Sequence, residues 1–240
     1  MTKNIEVCLS PVLFEYSKLN SNCLIVVIDV LRAPSCFSAI FDRNATSILP
    51  VEELETLRKL KQKGYLIAAE RGGEKIDFAD FGNSPTLFLQ KDFSGKAFAY
   101  STTNGTKSII AASKTNNNII TACFNNLDAA VSHILNSEND ILLFCSGWQN
   151  NLSLEDMACA GAIINKIKQF KTLSFIGDAA GICEMVWNEL SKNFPTSLQI
   201  AKHYQRLKKI GMEQDLEYCF QLNASSSLPV WNGKELTLVG

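Results

Sequence analysis

At 240 residues, 46 % hydrophobic and 20 % charged, the chain has ordinary globular composition and is long enough for one large α/β domain or two small ones, with roughly 70 % of its unfolded surface hidden. Its 23 basic and 24 acidic residues leave a net charge of -1, which argues against nucleic acid as the main partner but leaves room for small acids held by a local cluster of Arg and helix N-termini. No segment approaches the roughly 18 uninterrupted apolar residues of a membrane span, and the opening MTKNIEVCLSP lacks the apolar run of a secretory signal.

The eight cysteines form no CxxC pair. They read as reduced thiols in a cytoplasm, and with two histidines a structural zinc site is not expected.

In chain order, Leu24 to Val30 (LIVVIDV) is a continuous β-branched run, the pattern of a strand buried on both faces. A short helix follows from Pro34 to Phe41. Thr46 to Val51 reads as a strand, and Glu52 to Lys63 as an amphipathic helix with Gly64 as its C-cap. Tyr65 to Ala69 is the next strand and runs into a long polar loop, Glu70 to Pro85. Lys96 to Thr102 and Asn118 to Cys123 are strands, with helices over Thr106 to Ser113 and Leu127 to Asn136. Asp140 to Cys145 (DILLFC) is another buried strand, and a long helix runs from Leu154 to about Phe170. Ser174 to Phe220 reads as all-helical, and Leu228 to Val239 as one or two edge strands. The alternation implies a layered α/β/α domain with a parallel or mixed sheet over residues 1–240, with about 1–95 and 96–240 as possible subdomains.

Four polar motifs stand where strands end, the place at which ligands gather in α/β sheets. The first is Asp29-Val30-Leu31-Arg32-Ala33-Pro34. An Asp closing an apolar strand needs a partner or ligand. Arg32 could pair with it or clamp an anion. The second is Glu70-Arg71-Gly72-Gly73, continuing to Phe81-Gly82-Asn83-Ser84-Pro85, where Ser84 and Pro85 suit an N-cap and first helical position. The third is Thr102-Thr103-Asn104-Gly105-Thr106: hydroxyls around an Asn-Gly turn can form an anion nest. It lacks the spacing of a nucleotide P-loop. The fourth is Cys145-Ser146-Gly147, then Ser153-Leu154-Glu155-Asp156. Ser153 and Asp156 fit a capping box, or Glu155 and Asp156 together could ligate a hard cation. His203 lies one step off the apolar stripe of a helix and Asp178 at a helix start; both have ordinary structural readings.

Taken together and in order, IDVLRA, ER with GG, FGNSP, TTNGT and SLEDMACAGA resemble the 2-phosphosulfolactate phosphatase family of coenzyme M biosynthesis. The likeness covers about Val26 to Asp215 and includes the late His203, Leu207, Gly211 and Asp215. The resemblance implies a cytoplasmic, Mg²⁺-dependent hydrolase acting on a small phosphorylated and sulfonated acid. It carries over catalytic roles to Asp29, Arg32, Glu70 and Arg71. Substrate contacts fall to Asn83, Ser84, Thr102, Thr103, Asn104, Gly105, Thr106, Gly147 and His203, and metal ligation to Asp29, Glu155 and Asp156. Arg32 and Arg71 would supply the two anion sites. Neither nucleic acid nor a membrane is expected as a partner, and a homodimer is the expected assembly. Pro34 after Arg32-Ala33 departs from the family wording. So does Trp148-Gln149-Asn150-Asn151, which puts the natural substrate in question more than the reaction.

Overall fold

The computed structural model describes residues 2–19, 23–115 and 118–238. The apolar run read from the sequence forms β2 (Leu24–Ile28), and all five residues are buried. Alternate side chains serve opposite layers, because successive Cβ atoms of a strand point to opposite faces. Leu24, Val26 and Ile28 join the core under α5 (Leu127–Asn136), α6 (Leu154–Lys168) and α7 (Ala179–Leu190). Ile25 and Val27 pack with Phe37 of α1 (Ala33–Phe41) and Ile109 of α4 (Gly105–Ser113). A third, smaller cluster lies around Leu57 of α2 (Leu54–Gln62).

The sheet of eleven strands has two parallel blocks. In one, β2 lies between β7 (Ile119–Ala122) and β8 (Ile141–Cys145), and β1 (Lys3–Cys8) and β9 (Leu173–Ile176) extend the block beyond β8. In the other, β6 (Ala97–Ser101) lies between β3 (Ser47–Pro50) and β4 (Leu66–Arg71). Strands from both sides of residues 95 and 96 therefore pair with one another, and the sheet is continuous across that point.

The C-terminal hairpin of β10 (Pro229–Trp231) and β11 (Leu236–Leu238) joins the blocks. It pairs antiparallel with β7 through Val230 and Ile120, and with β3 through Leu236 and Ile48. These strands were expected at an edge and instead lie mid-sheet, where Leu236 is fully buried; Val239 is outside the described residues. Two further strands are not among those read from the sequence. Leu173–Ile176 is a strand rather than part of a helical region, and Lys3–Cys8 is a strand with Ile5 and Val7 buried and Asn4 exposed.

Across the antiparallel hairpin the two blocks run in opposite directions, yet the C-terminal ends of β2 and β6 meet. The right-handed twist of roughly 20–25° per strand accumulates to the order of 100° between them. Among the described residues no helix is long and apolar enough to cross a membrane, and all eight cysteines lie buried.

Candidate active site

The register Ile28↔Ala122 and Ile28↔Cys145 brings the ends of β7, β2 and β8 to one level. Ser146 N–H donates to the Ile28 carbonyl at 2.7 Å. Asp29 follows directly and faces a cavity of about 90 Å³ whose wall includes Arg32, Glu70, Asn83, Thr102, Thr103, Asn104, Trp148, Gln149, His203 and Arg206. At roughly 10–15 Å³ of such space per water, this admits a small group such as a phosphate and stays open beyond it.

Asp29 is 4 % exposed. Burial first, and then the neighbouring charge of Glu155, push its carboxyl up to about 7; Glu70 adds to this, while the Ala33 N–H and Arg32 work against it. The chain comes so close here that a Cβ on Gly105 would lie 2.4 Å from Asp29 Oδ2 and 2.7 Å from the Ala33 Cβ. Only glycine lets α4 start against the carboxylate.

Arg32 does not pair with Asp29. Its Nη1 donates to Asp215 Oδ2 at 2.5 Å, both side chains being buried. Asp215, on α9 (Glu213–Cys219), also accepts from Ser84 Oγ at 2.7 Å and Thr86 Oγ1 at 2.6 Å. Ser84 heads α3 (Pro85–Phe88) as expected but makes no side-chain cap bond there; its hydroxyl is committed to Asp215, away from the cavity. Asn83 does reach the cavity. Tyr100 Oη and Cys36 Sγ donate to its Oδ1 at 2.6 and 3.2 Å, and burial pushes both those groups well up, so they remain protonated donors. The Asn83 amide nitrogen is then the polar end left for a ligand.

The glycine pair of the second motif forms a tight hairpin. Gly72 and Gly73 both have positive φ, 62° and 88°, between Arg71 of β4 and Glu74 of β5 (Glu74–Lys75), the geometry of a type I′ turn. Glu70 braces this turn to the third motif. Its carboxylate accepts from Gly73 N at 2.6 Å, Thr103 N at 2.8 Å and Thr103 Oγ1 at 3.0 Å. Arg71, expected as an anion clamp, does not line the cavity; it donates to the Glu70 carbonyl at 2.7 Å, the Glu52 carbonyl at 3.1 Å and Ser101 Oγ at 3.0 Å. Thr102 and Thr106 bond each other reciprocally, N–H to hydroxyl at 3.0 and 3.2 Å. Thr106 is thereby buried and spent on the turn, while Thr102, Thr103 and Asn104 stay on the cavity wall.

In the fourth motif Ser153 caps α6, accepting from Asp156 N at 3.3 Å. The Asp156 carboxylate does not return the bond. It accepts from Val30 N at 2.9 Å and Gly147 N at 3.0 Å, tying the ends of β2 and β8 together. Burial, then Asp29 and Glu155, push it well up. Glu155, 1 % exposed, lies 3.2 Å from His203 Nδ1, and the His203 ring stacks on Trp148 at 5.2 Å and 11°. His203 thus stands in the cavity wall, where the family resemblance implies a substrate contact for it. Asp178 is the N-cap residue of α7, with no side-chain cap bond.

Among the described residues no three His, Cys, Asp or Glu side chains stand as a ready metal site. The donor set nonetheless suits a hard cation. Asp29 lines the cavity, Glu155 is near enough to disturb its ionisation, and both disturb that of Asp156. Mg²⁺ usually takes one or two carboxylates and completes its shell with water and substrate oxygens. It would also relieve the buried carboxyls of Asp29 and Asp156, both pushed up in part by neighbouring acids.

Sequence reading missed Arg206. It lies on α8 (Lys202–Lys209) three residues after His203, lines the cavity and donates to the Gly72 carbonyl. The i, i+3 spacing from His203 is the signal that could have placed it.

The 2-phosphosulpholactate phosphatase family model matches residues 8–234. A probable 2-phosphosulfolactate phosphatase of Thermotoga petrophila is 35% identical over 204 residues, covering 85% of this chain and 87% of the relative. One of Clostridium acetobutylicum is 32% identical over 216 residues, covering 88% and 90%. With its motifs gathered on one cavity and the match running nearly end to end, this chain belongs to the 2-phosphosulfolactate phosphatase family.

Proposed function

We propose that this protein hydrolyses the phosphate monoester of 2-phosphosulfolactate, giving sulfolactate and phosphate, with Mg²⁺ as cofactor. The observation that carries this reading is Asp29 itself: a buried carboxylate pushed up to about 7 on a cavity that Arg32 and the Asn83 amide also line. A site built only to hold anions has no use for Asp29 and Glu70 on its wall, nor for Glu155, whose charge acts on Asp29.

Phosphoryl transfer is largely positioning and neutralisation of charge on the phosphate oxygens. Arg32, aimed by Asp215, contributes a fixed guanidinium. Asn83 contributes an amide donor, and the Thr102–Asn104 turn sets the floor where α4 begins. Glu70 keeps that turn and the Gly72–Gly73 hairpin in register. Asp29, with Glu155 as the acid that acts most strongly on it, would hold Mg²⁺, which when bound would neutralise phosphate oxygens in the transition state. Alternatively Asp29 Oδ attacks phosphorus: an O–P bond to Asp29 forms, the ester O–P bond breaks, the leaving oxygen takes a proton, and water then releases phosphate. Acid-quench trapping of a phosphoenzyme separates the two roles.

The test is phosphate release from 2-phosphosulfolactate, phosphoglycolate and phospholactate, with Mg²⁺ and with EDTA. Mg²⁺-dependent turnover fastest on 2-phosphosulfolactate is expected. Trp148, in the cavity wall where the family wording differs, favours a second reading in which another small phosphorylated acid is the better substrate, and the same panel decides it. Tight binding with no release on any ester would refute phosphatase activity.

A further inference from the structure

We infer that Arg206, held by the Gly72 carbonyl beside the Trp148–His203 stack, is the subsite for the second acidic group of the substrate, the one that is not transferred. The inference rests on the phosphatase reading and deepens it.

The cavity wall carries two guanidinium groups, Arg32 and Arg206. Arg32 is 3 % exposed, close enough to Asp29 to act on its ionisation, and its charge is countered by Asp215. Arg206 is only partly buried, and its protein hydrogen bond goes to a neutral carbonyl. Among the described residues no carboxylate lies within 4.0 Å of it. A planar guanidinium has five donors, so a fork bound to one carbonyl has donors to spare for a carboxylate or sulfonate.

The turn beneath it leaves room for that fork. A Cβ on Gly73 would lie 3.1 Å from Arg206 Nη2 and 3.3 Å from Nη1, so a side chain there would crowd the guanidinium. Charge then sorts the two ends of the ligand. Asp29 and Asp156, buried at the end of β2, mark the end where the phosphate would meet a cation, and their charge repels a second anion from it. Arg206 is the cation of the wall without a countercharge, and His203 projects from the same helix three residues earlier. A ligand with two acidic groups is read at both ends, and inorganic phosphate at one.

R206Q and R206K, each with Mg²⁺, decide the matter. R206Q is expected to raise KM for 2-phosphosulfolactate at least tenfold while the inhibition constant of inorganic phosphate stays within about twofold, as losing a charge-assisted contact to one end requires. R206K, with charge but no fork, is expected to fall between, and it carries the test if R206Q does not fold. Equal loss for both ligands would make Arg206 a brace for the hairpin and overturn the inference. So would no change for either. If the wild type releases phosphate from no ester, the phosphatase reading fails separately, and calorimetric binding of sulfolactate then judges the subsite. Weaker sulfolactate binding by R206Q supports it, and equal binding overturns it.

Discussion

Replacing Asp29 by Asn should make the metal-free protein more stable and the enzyme inactive. Asp29 has an ordinary carboxyl value of 3.8 in the unfolded chain and about 7 in the folded one. An acid raised on folding contributes stability that is fully present below the unfolded value and lost as pH rises through the folded one. At about 1.36 kcal/mol per pH unit, burying the ionised side chain at pH 8 costs the fold about 4 kcal/mol, and at pH 5, where folding instead takes up a proton, the cost is about 2 kcal/mol. Asn has no charge to bury and can still accept from the Ala33 N–H, so its advantage over Asp should shrink by roughly half between those pH values. It also relieves Asp156, whose carboxyl is pushed up partly by Asp29. Urea unfolding of both proteins at pH 5 and pH 8, in EDTA, measures the difference, and phosphate release with Mg²⁺ gives the activity. A variant less stable than wild type at pH 8, or an advantage that grows on acidification, would refute the account of a destabilised buried acid. Normal Mg²⁺-dependent turnover by Asp29→Asn would remove Asp29 from the mechanism.

Gly105→Ala puts a Cβ 2.4 Å from Asp29 Oδ2, so a displaced carboxylate and a loss of at least about 100-fold in kcat/KM are expected. Crowding of about 1–3 kcal/mol is partly offset by the better helix propensity of Ala, and wild-type rates in a steady-state assay would contradict the close approach. Asp215→Ala leaves buried Arg32 without its countercharge and should cost about 3–5 kcal/mol in urea unfolding, whereas Asp215→Asn should cost less because it can still accept from Ser84 and Thr86. Equal midpoints for the two would mean that the charge of the pair is unimportant. Asn83→Asp keeps an acceptor for Tyr100 and Cys36 but replaces the amide donor with a charge. Inorganic phosphate should then inhibit at least about tenfold more weakly; unchanged inhibition would take Asn83 out of the anion site.

Much of this architecture is local and therefore legible in the chain. LIVVI and ILLFC are apolar on every position because β2 and β8 are covered on both faces, and the acids and hydroxyls stand at strand ends because that is where buried backbone gives way to a cavity. Shorter elements were less legible. Lys3–Cys8 alternates polar and apolar only from Asn4 to Val7, and the Gly72–Gly73 turn is a hairpin signal that a long-loop reading of Glu70 to Pro85 obscured.

The sequence by itself determined the α/β class, the strings that carry the chemistry and, through their resemblance, the family. Tertiary structure decided which side chains meet. Arg32 finds its carboxylate 183 residues away in Asp215 rather than three residues away in Asp29, and Asp156 closes on Val30 across 126 positions instead of on its own cap. Arg71, beside the site in sequence, is spent on two backbone carbonyls and the Ser101 hydroxyl, and Arg206 takes a place on the wall. Periodicity and capping depend on residues a few positions apart, so a chain displays them directly. Partners of a buried charge depend on which strands become neighbours, and a hairpin at residues 229–238 that joins two parallel blocks settles that only when the sheet is complete.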